Sequence, residues 1–245
     1  MPKLPPVTPL TRRYLGTAAF RLSIFVMILG LYLYQPTLLD FTAGGPLFWP
    51  LTLLWLVMLT AMLSQLNPNS KLTTGCHKQY PSSFEEVPNF NRDLLKQTVR
   101  SQNLGAAKVA LVWLAGNGAV GWLYLRGTIS VPELLLLAAF YYLCDLICVL
   151  FFCPFQTFLM KNRCCVNCRI FAWGSWMMAT PLIFVGHIYS LSLVAASILV
   201  LIVWEYRFAK YPERFWFGSN RHLQCGHCKE QLCRYKVPRS PRFRT

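Results

Sequence analysis

The chain has 245 residues, with 24 Lys or Arg against 9 Asp or Glu and a formal net charge of +15. Hydrophobic residues make up 55% and charged residues 13%, about half the ~25% charged content of ordinary soluble domains. This excludes a single water-soluble globule, a disordered chain, a collagen-like fibre and a small secreted disulfide scaffold, and with a mean hydropathy of +0.39 it points to a membrane protein.

A helix needs ~20 mostly apolar residues to cross ~30 Å of hydrocarbon. Six charge-poor stretches qualify as predicted spans: 22–37, 46–66, 109–125, 131–152, 172–186 and 190–204. The first follows a basic segment but runs into Gln35-Pro36 without a small-residue cleavage site, so it reads as an uncleaved anchor. The last two are separated by 187–189 alone and read as a helical hairpin turning near Gly186. The expected fold is therefore all-α: a polytopic bundle of about six transmembrane helices over 1–206, with loops 67–108 and 153–170, followed by a basic Cys-rich tail over 207–245.

Six spans put both termini and both long loops on one side. All but Arg126 of the 24 Lys and Arg residues fall in those segments, and short cytoplasmic loops collect Lys and Arg. Both termini are expected in the cytoplasm. Trp122 and Tyr124 near one interface, and Trp173, Trp176 and Trp204 near the other, fit the aromatic belts of a bilayer. The segment 205–217 alternates basic and aromatic residues, a pattern that suits either anionic lipid headgroups or a solvated tail. Nucleic acid is not the expected partner, because the topology already explains the charge and no nucleic-acid-binding fold fits in the tail.

Ten cysteines are the most informative feature. Cys144 and Cys148 lie in the fourth span, whereas Cys76, Cys153, Cys164, Cys165, Cys168, Cys225, Cys228 and Cys233 map to the cytoplasmic side. That compartment is reducing, so clustered thiols there point to metal or redox chemistry rather than structural disulfides. Cys165-x-x-Cys168 and Cys225-x-x-Cys228 have ligand spacing: each tight turn aims two thiolates at one ion, and two turns supply a tetrahedral set. A Cys-rich metal module clipping the second loop to the tail is expected, holding zinc or an iron–sulfur cluster. Cys153, Cys164, Cys233, Cys76, His77, His222 and His227 are additional candidate ligands.

Cys225-Gly226-His227-Cys228 resembles the active-site motif of protein disulfide isomerases, which would make the chain a membrane thiol–disulfide oxidoreductase. The surroundings do not match. Gln224 stands where that motif has tryptophan, and the residues after Cys228 are too few for a thioredoxin fold. The stretch MKNRCCVNCRIF at 160–171, with YPERFW at 211–216 and the cysteines from Cys225 to Cys233, resembles a group of Cys-rich multi-pass bacterial membrane proteins with no known activity. The resemblance covers about the last third of the chain and implies a bacterial inner membrane.

Asp145 lies inside the fourth span, where a carboxylate costs at least ~2.5 kcal/mol unless it is paired or protonated. Cys144 and Cys148 share its side of the helix at one-turn spacing. Two readings follow: a pathway for a metal ion or small solute using Asp145, Cys144 and Cys148, or a hydrogen-bonded neutral carboxyl with two packing cysteines. Small residues at 115–121 in the third span allow close helix approach, with Asn117 a donor within reach of Asp145. Pro181 should kink the fifth span. No phosphate-binding Gly-rich loop, zinc-protease motif or nucleophile elbow is present, so conventional soluble-enzyme chemistry is not expected.

Overall fold

The computed structural model describes residues 9–42, 45, 47–69, 76–162, 164 and 167–228. Among these there is no strand, and one isolated antiparallel bridge joins Glu86 to Asn220. The helices are α1 (Pro9–Tyr34), α2 (Phe48–Ser64), α3 (Arg92–Leu125), α4 (Val131–Leu150), α5 (Gly174–Ala179) and α6 (Ile188–Lys210). Among the described residues, α1, α3, α4 and α6 are long and apolar enough to cross a membrane. The apolar helices over Phe48–Ser64 and Phe171–Val185 are shorter.

Each helix boundary has a local cause. Asn91 caps α3 by accepting the amide protons of Asp93 and Leu94, both at 3.0 Å, and Asp93 places negative charge in the positive first turn. Helix α3 therefore starts at Arg92, well inside the stretch expected to be loop 67–108. Ser130 and Glu133 form a capping box at the start of α4. The fifth segment is divided: 3₁₀ turns Phe171–Trp173 and Thr180–Val185 flank α5. Pro181 has no amide proton to return to Met177, and the Thr180 hydroxyl donates to the Trp176 carbonyl at 2.7 Å beside the break. Gly186 ends the segment in the left-handed region, φ +68°, and His187 caps α6, so the chain reverses where a hairpin was expected.

Helix α1 packs on α4, α4 on α5, α5 on α6 and α6 on α2, while α3 lies against the 3₁₀ turn Thr180–Val185. The contact there is close. A methyl group at Gly121 would sit 2.2 Å from the Phe184 ring, whereas one at Gly116 or Gly118 would meet open space. Of the stripe's three glycines, Gly121 alone lies at a close approach. The main core is built from Ile24, Ile28, Met58, Met62, Ala138, Met178, Leu182 and Val194. Outward faces carry large apolar residues such as Phe20, Val26, Leu111, Leu114 and Ile202, all exposed, as expected where the solvent is lipid.

The ends of the bundle differ. At one end, Tyr32 donates to Glu133 at 3.0 Å, and the rings of Phe41 and Phe48 meet His187 and Tyr189. The other end carries a folded cap made from 76–91, 151–162, 164, 167–173 and 211–228. Val87 and Arg221 donate their amides to Ser219 and Glu85, each at 2.9 Å, and the Arg214 guanidinium donates to the Gln79 carbonyl at 3.2 Å. Helix α6 continues to Lys210, past the expected tail boundary at 207, and the tail through Cys228 folds onto the earlier loop. Of the aromatic residues in 205–217, Phe208, Phe215 and Trp216 turn inward, whereas Tyr206 and Phe217 remain exposed.

Candidate functional site

The candidate residues fall into three places, all toward the capped end. The first is the charged pair between α1 and α4. Arg21 Nη1 donates to Asp145 Oδ2 at 2.7 Å and to the Tyr142 carbonyl at 2.8 Å, with its guanidinium carbon 4.0 Å from the centre of the Tyr142 ring. Gly174 makes room for the carboxylate, since a methyl group there would sit 2.2 Å from Asp145 Oδ1. Asp145 is thus met by a guanidinium rather than by Asn117, whose Nδ2 donates to the Trp113 carbonyl of its own helix at 3.0 Å. On hydropathy alone the apolar run starts at Leu22, which leaves Arg21 among the N-terminal charges. In fact α1 begins at Pro9 and carries Arg21 into the bundle.

The second is the ion pair that fastens the cap. Arg169 makes a two-pronged bond to Glu205: Nη1 donates to Oε1 at 2.6 Å and Nη2 to Oε2. Trp173 Nε1 donates to Glu205 Oε1 at 2.8 Å, Trp204 Nε1 donates to the Arg169 carbonyl at 2.9 Å, and the guanidinium stacks 3.7 Å from the centre of the Phe208 ring. Arg169 is 6% exposed. Beside it the buried Lys78 amine lies between 5.3 and 5.7 Å from the ring centres of Phe171, Trp204 and Phe215. Glu205 belongs to no sequence motif. The available signal was a carboxylate at the apolar end of α6 in a chain with few acids.

The third is the cysteines. None of the described ones is in a disulfide. Cys164 of the second loop and Cys228 of the tail pack against the same apolar cluster, formed by Tyr14, Leu146, Leu150 and Leu223. Cys225 and His227 are exposed. His222 Nε2 lies 3.4 Å from Glu85 Oε2. Cys168 is buried among Trp204, Phe208 and Phe215. Cys165 and Cys233, and the side chains of Cys76 and His77, lie outside the described residues. Among the described residues, no three His, Cys, Asp or Glu side chains gather closely enough to hold one metal ion.

Three cavities adjoin these groups. One of about 150 Å³ is lined by Arg21, Asp145, Gln65, Thr17 and Ser175. It shares Asp145, Val149, Phe171 and Gly174 with a larger one of about 330 Å³, whose walls include Cys144, Cys148, Cys153 and Cys168. A third, of about 100 Å³, is apolar and shares Met58, Tyr142 and Met178 with the first. No protein-family model, curated protein or solved structure matches this chain.

Proposed function

We propose that this chain is a six-span integral membrane protein of a bacterial inner membrane, with both ends cytoplasmic and a zinc module that staples its cytoplasmic cap. The two shorter apolar segments suit spanning. Seventeen residues of α2 give about 26 Å, and 171–185, stretched by its 3₁₀ turns, gives about 27 Å, both near the ~30 Å hydrocarbon thickness. The side assignment rests on the sequence distribution of Lys and Arg, of which all but Arg126 fall in the termini and the two long loops.

The observation that carries the zinc reading is the packing of Cys164 and Cys228 against one cluster, which brings the second loop and the tail together. Cys165, Cys225 and Cys228 keep the ligand roles that their spacing suggests. Cys164 replaces Cys168, whose side chain is buried in the aromatic core. Four thiolates around a divalent ion leave a net charge of −2, which suits a chain of net charge +15. Because a structural zinc site contributes its binding energy directly to folding, zinc here would hold the cytoplasmic ends of α4, α5 and α6 in register. The test is metal analysis of the purified full chain. Zinc should be lost and the tail exposed to protease in Cys225→Ser/Cys228→Ser, but retained in Cys144→Ser. Visible absorption with bound iron would replace zinc by an iron–sulfur cluster. Unchanged metal and unchanged protease resistance in the double variant would overturn the module.

A second reading, passage of a metal ion or small solute, draws on the adjoining cavities with Asp145 between two of them. Flux into vesicles that is lost in Asp145→Asn would support it, and flux indifferent to that change would dismiss it.

A further inference from the structure

The largest of the three cavities lies where α4 ends and the second loop begins. Its walls are largely apolar and aromatic, including Trp113, Tyr141 and Phe155, yet they carry four cysteines and the thioether of Met177. Two of these thiols, Cys148 in the last turns of α4 and Cys153 just beyond it, are interacting neighbours on this wall. The Gln156 amide donates to Cys153 Sγ at 3.4 Å. Pro154 then leads into a π-helical turn, Phe155–Leu159, closed by the Met160 amide on the Phe155 carbonyl at 2.9 Å. Such turns are rare and occur often at functional sites.

Two adjacent thiols are too few for zinc, which takes four ligands in closed sites, and among the described residues no third carboxylate, imidazole or thiol is grouped with them. A soft monovalent d¹⁰ ion has different needs. Copper(I) prefers thiolate and thioether donors and is satisfied by two sulfurs in a near-linear arrangement. It also leaves a smaller net charge in an apolar pocket than a four-thiolate divalent site does. We propose that Cys148 and Cys153 form a two-coordinate copper(I) site at the cytoplasmic end of α4, with Cys144, Cys168 and Met177 lining the chamber around the ion. Binding forms two Cu–S bonds and releases two thiol protons to solvent, and copper stays in the +1 state with no electron transferred. Asp145, held by Arg21, is the charged group on the same wall. This site uses none of the cysteines assigned to the zinc module.

The experiment is an oxygen-free titration of the full detergent-purified chain with copper(I) against a chromophoric copper(I) chelator. Because the four thiolates assigned to zinc also attract copper(I), the titration is run in Cys225→Ser/Cys228→Ser, which should hold one tightly bound copper with two sulfur neighbours in X-ray absorption. Cys148→Ser and Cys153→Ser should each lower the affinity by more than the ~10–100-fold that follows loss of an outer-shell partner. Cys144→Ser, the same change one turn away, should lower it less and reports whether a serine in α4 alone disturbs folding. Copper binding that survives Cys148→Ser/Cys153→Ser at wild-type affinity, or nitrogen and oxygen neighbours in the absorption spectrum, would overturn the site.

Discussion

Replacing Arg21 by Met removes the charged partner of Asp145 and keeps most of the apolar stem. The Arg21 and Asp145 side chains are 16% and 29% exposed, so the pair is neither fully buried nor surface-screened. Breaking a buried pair from one side costs ~3–5 kcal/mol, and the partial exposure brings the expectation down to about 2–3 kcal/mol. Loss of the contact with the Tyr142 ring adds roughly 0.5–1 kcal/mol. Asp145→Asn leaves the guanidinium partly bonded to the Tyr142 carbonyl and should cost less, about 1–2 kcal/mol. The double variant leaves no unpaired charge, so the two losses should not add, and a coupling of about 1–2 kcal/mol is expected. The assay is reversible unfolding in mixed micelles for wild type, both single variants and the double variant. Strict additivity, with a coupling below about 0.5 kcal/mol, would refute the claim that this ion pair holds α1 to α4.

Gly174→Ala pushes a methyl group into the Asp145 carboxylate and should destabilise by ~1–3 kcal/mol, an effect that thermal melting should find diminished in Asp145→Asn. Glu205→Leu strands a guanidinium that is 6% exposed on its partner Arg169 and should cost ~3–5 kcal/mol, with faster proteolysis of 153–170 as the readout. Gly121→Leu should destabilise by ~1–3 kcal/mol through the Phe184 ring. Gly118→Leu, facing open space, should stay within ~0.5 kcal/mol in the same melting assay.

The apolar segments were legible because each is a long run with few charges, and the turn at Gly186 because such a run exceeds one span. The first half of α3 was not. Its stretch RDLLKQTVRSQNLG reads as loop on hydropathy, and its signal, the Asn91 cap with Asp93 in the first turn, is local rather than apolar. Pairings distant in sequence were also hidden. Nothing in the chain order joins Arg21 to Asp145 or Arg169 to Glu205, and an apolar run that begins at Leu22 leaves Arg21 outside the helix that contains it. The one-turn spacing of Cys144 and Cys148 was visible, but the approach of Cys153 to Cys148 depends on how the chain leaves α4. The aromatic residues after Trp204 pattern equally well for headgroups or a core. The structure buries Phe208, Phe215 and Trp216, with Arg169 stacked on Phe208 and Lys78 beside Phe215.

The most direct measurement of the zinc staple is X-ray absorption at the zinc edge on the full chain purified without added metal. The expected spectrum has four sulfur neighbours at about 2.3 Å, reduced in amplitude together with the zinc content in Cys164→Ser. A chain with no bound zinc, or zinc surrounded by nitrogen and oxygen, would contradict a thiolate site joining the second loop to the tail.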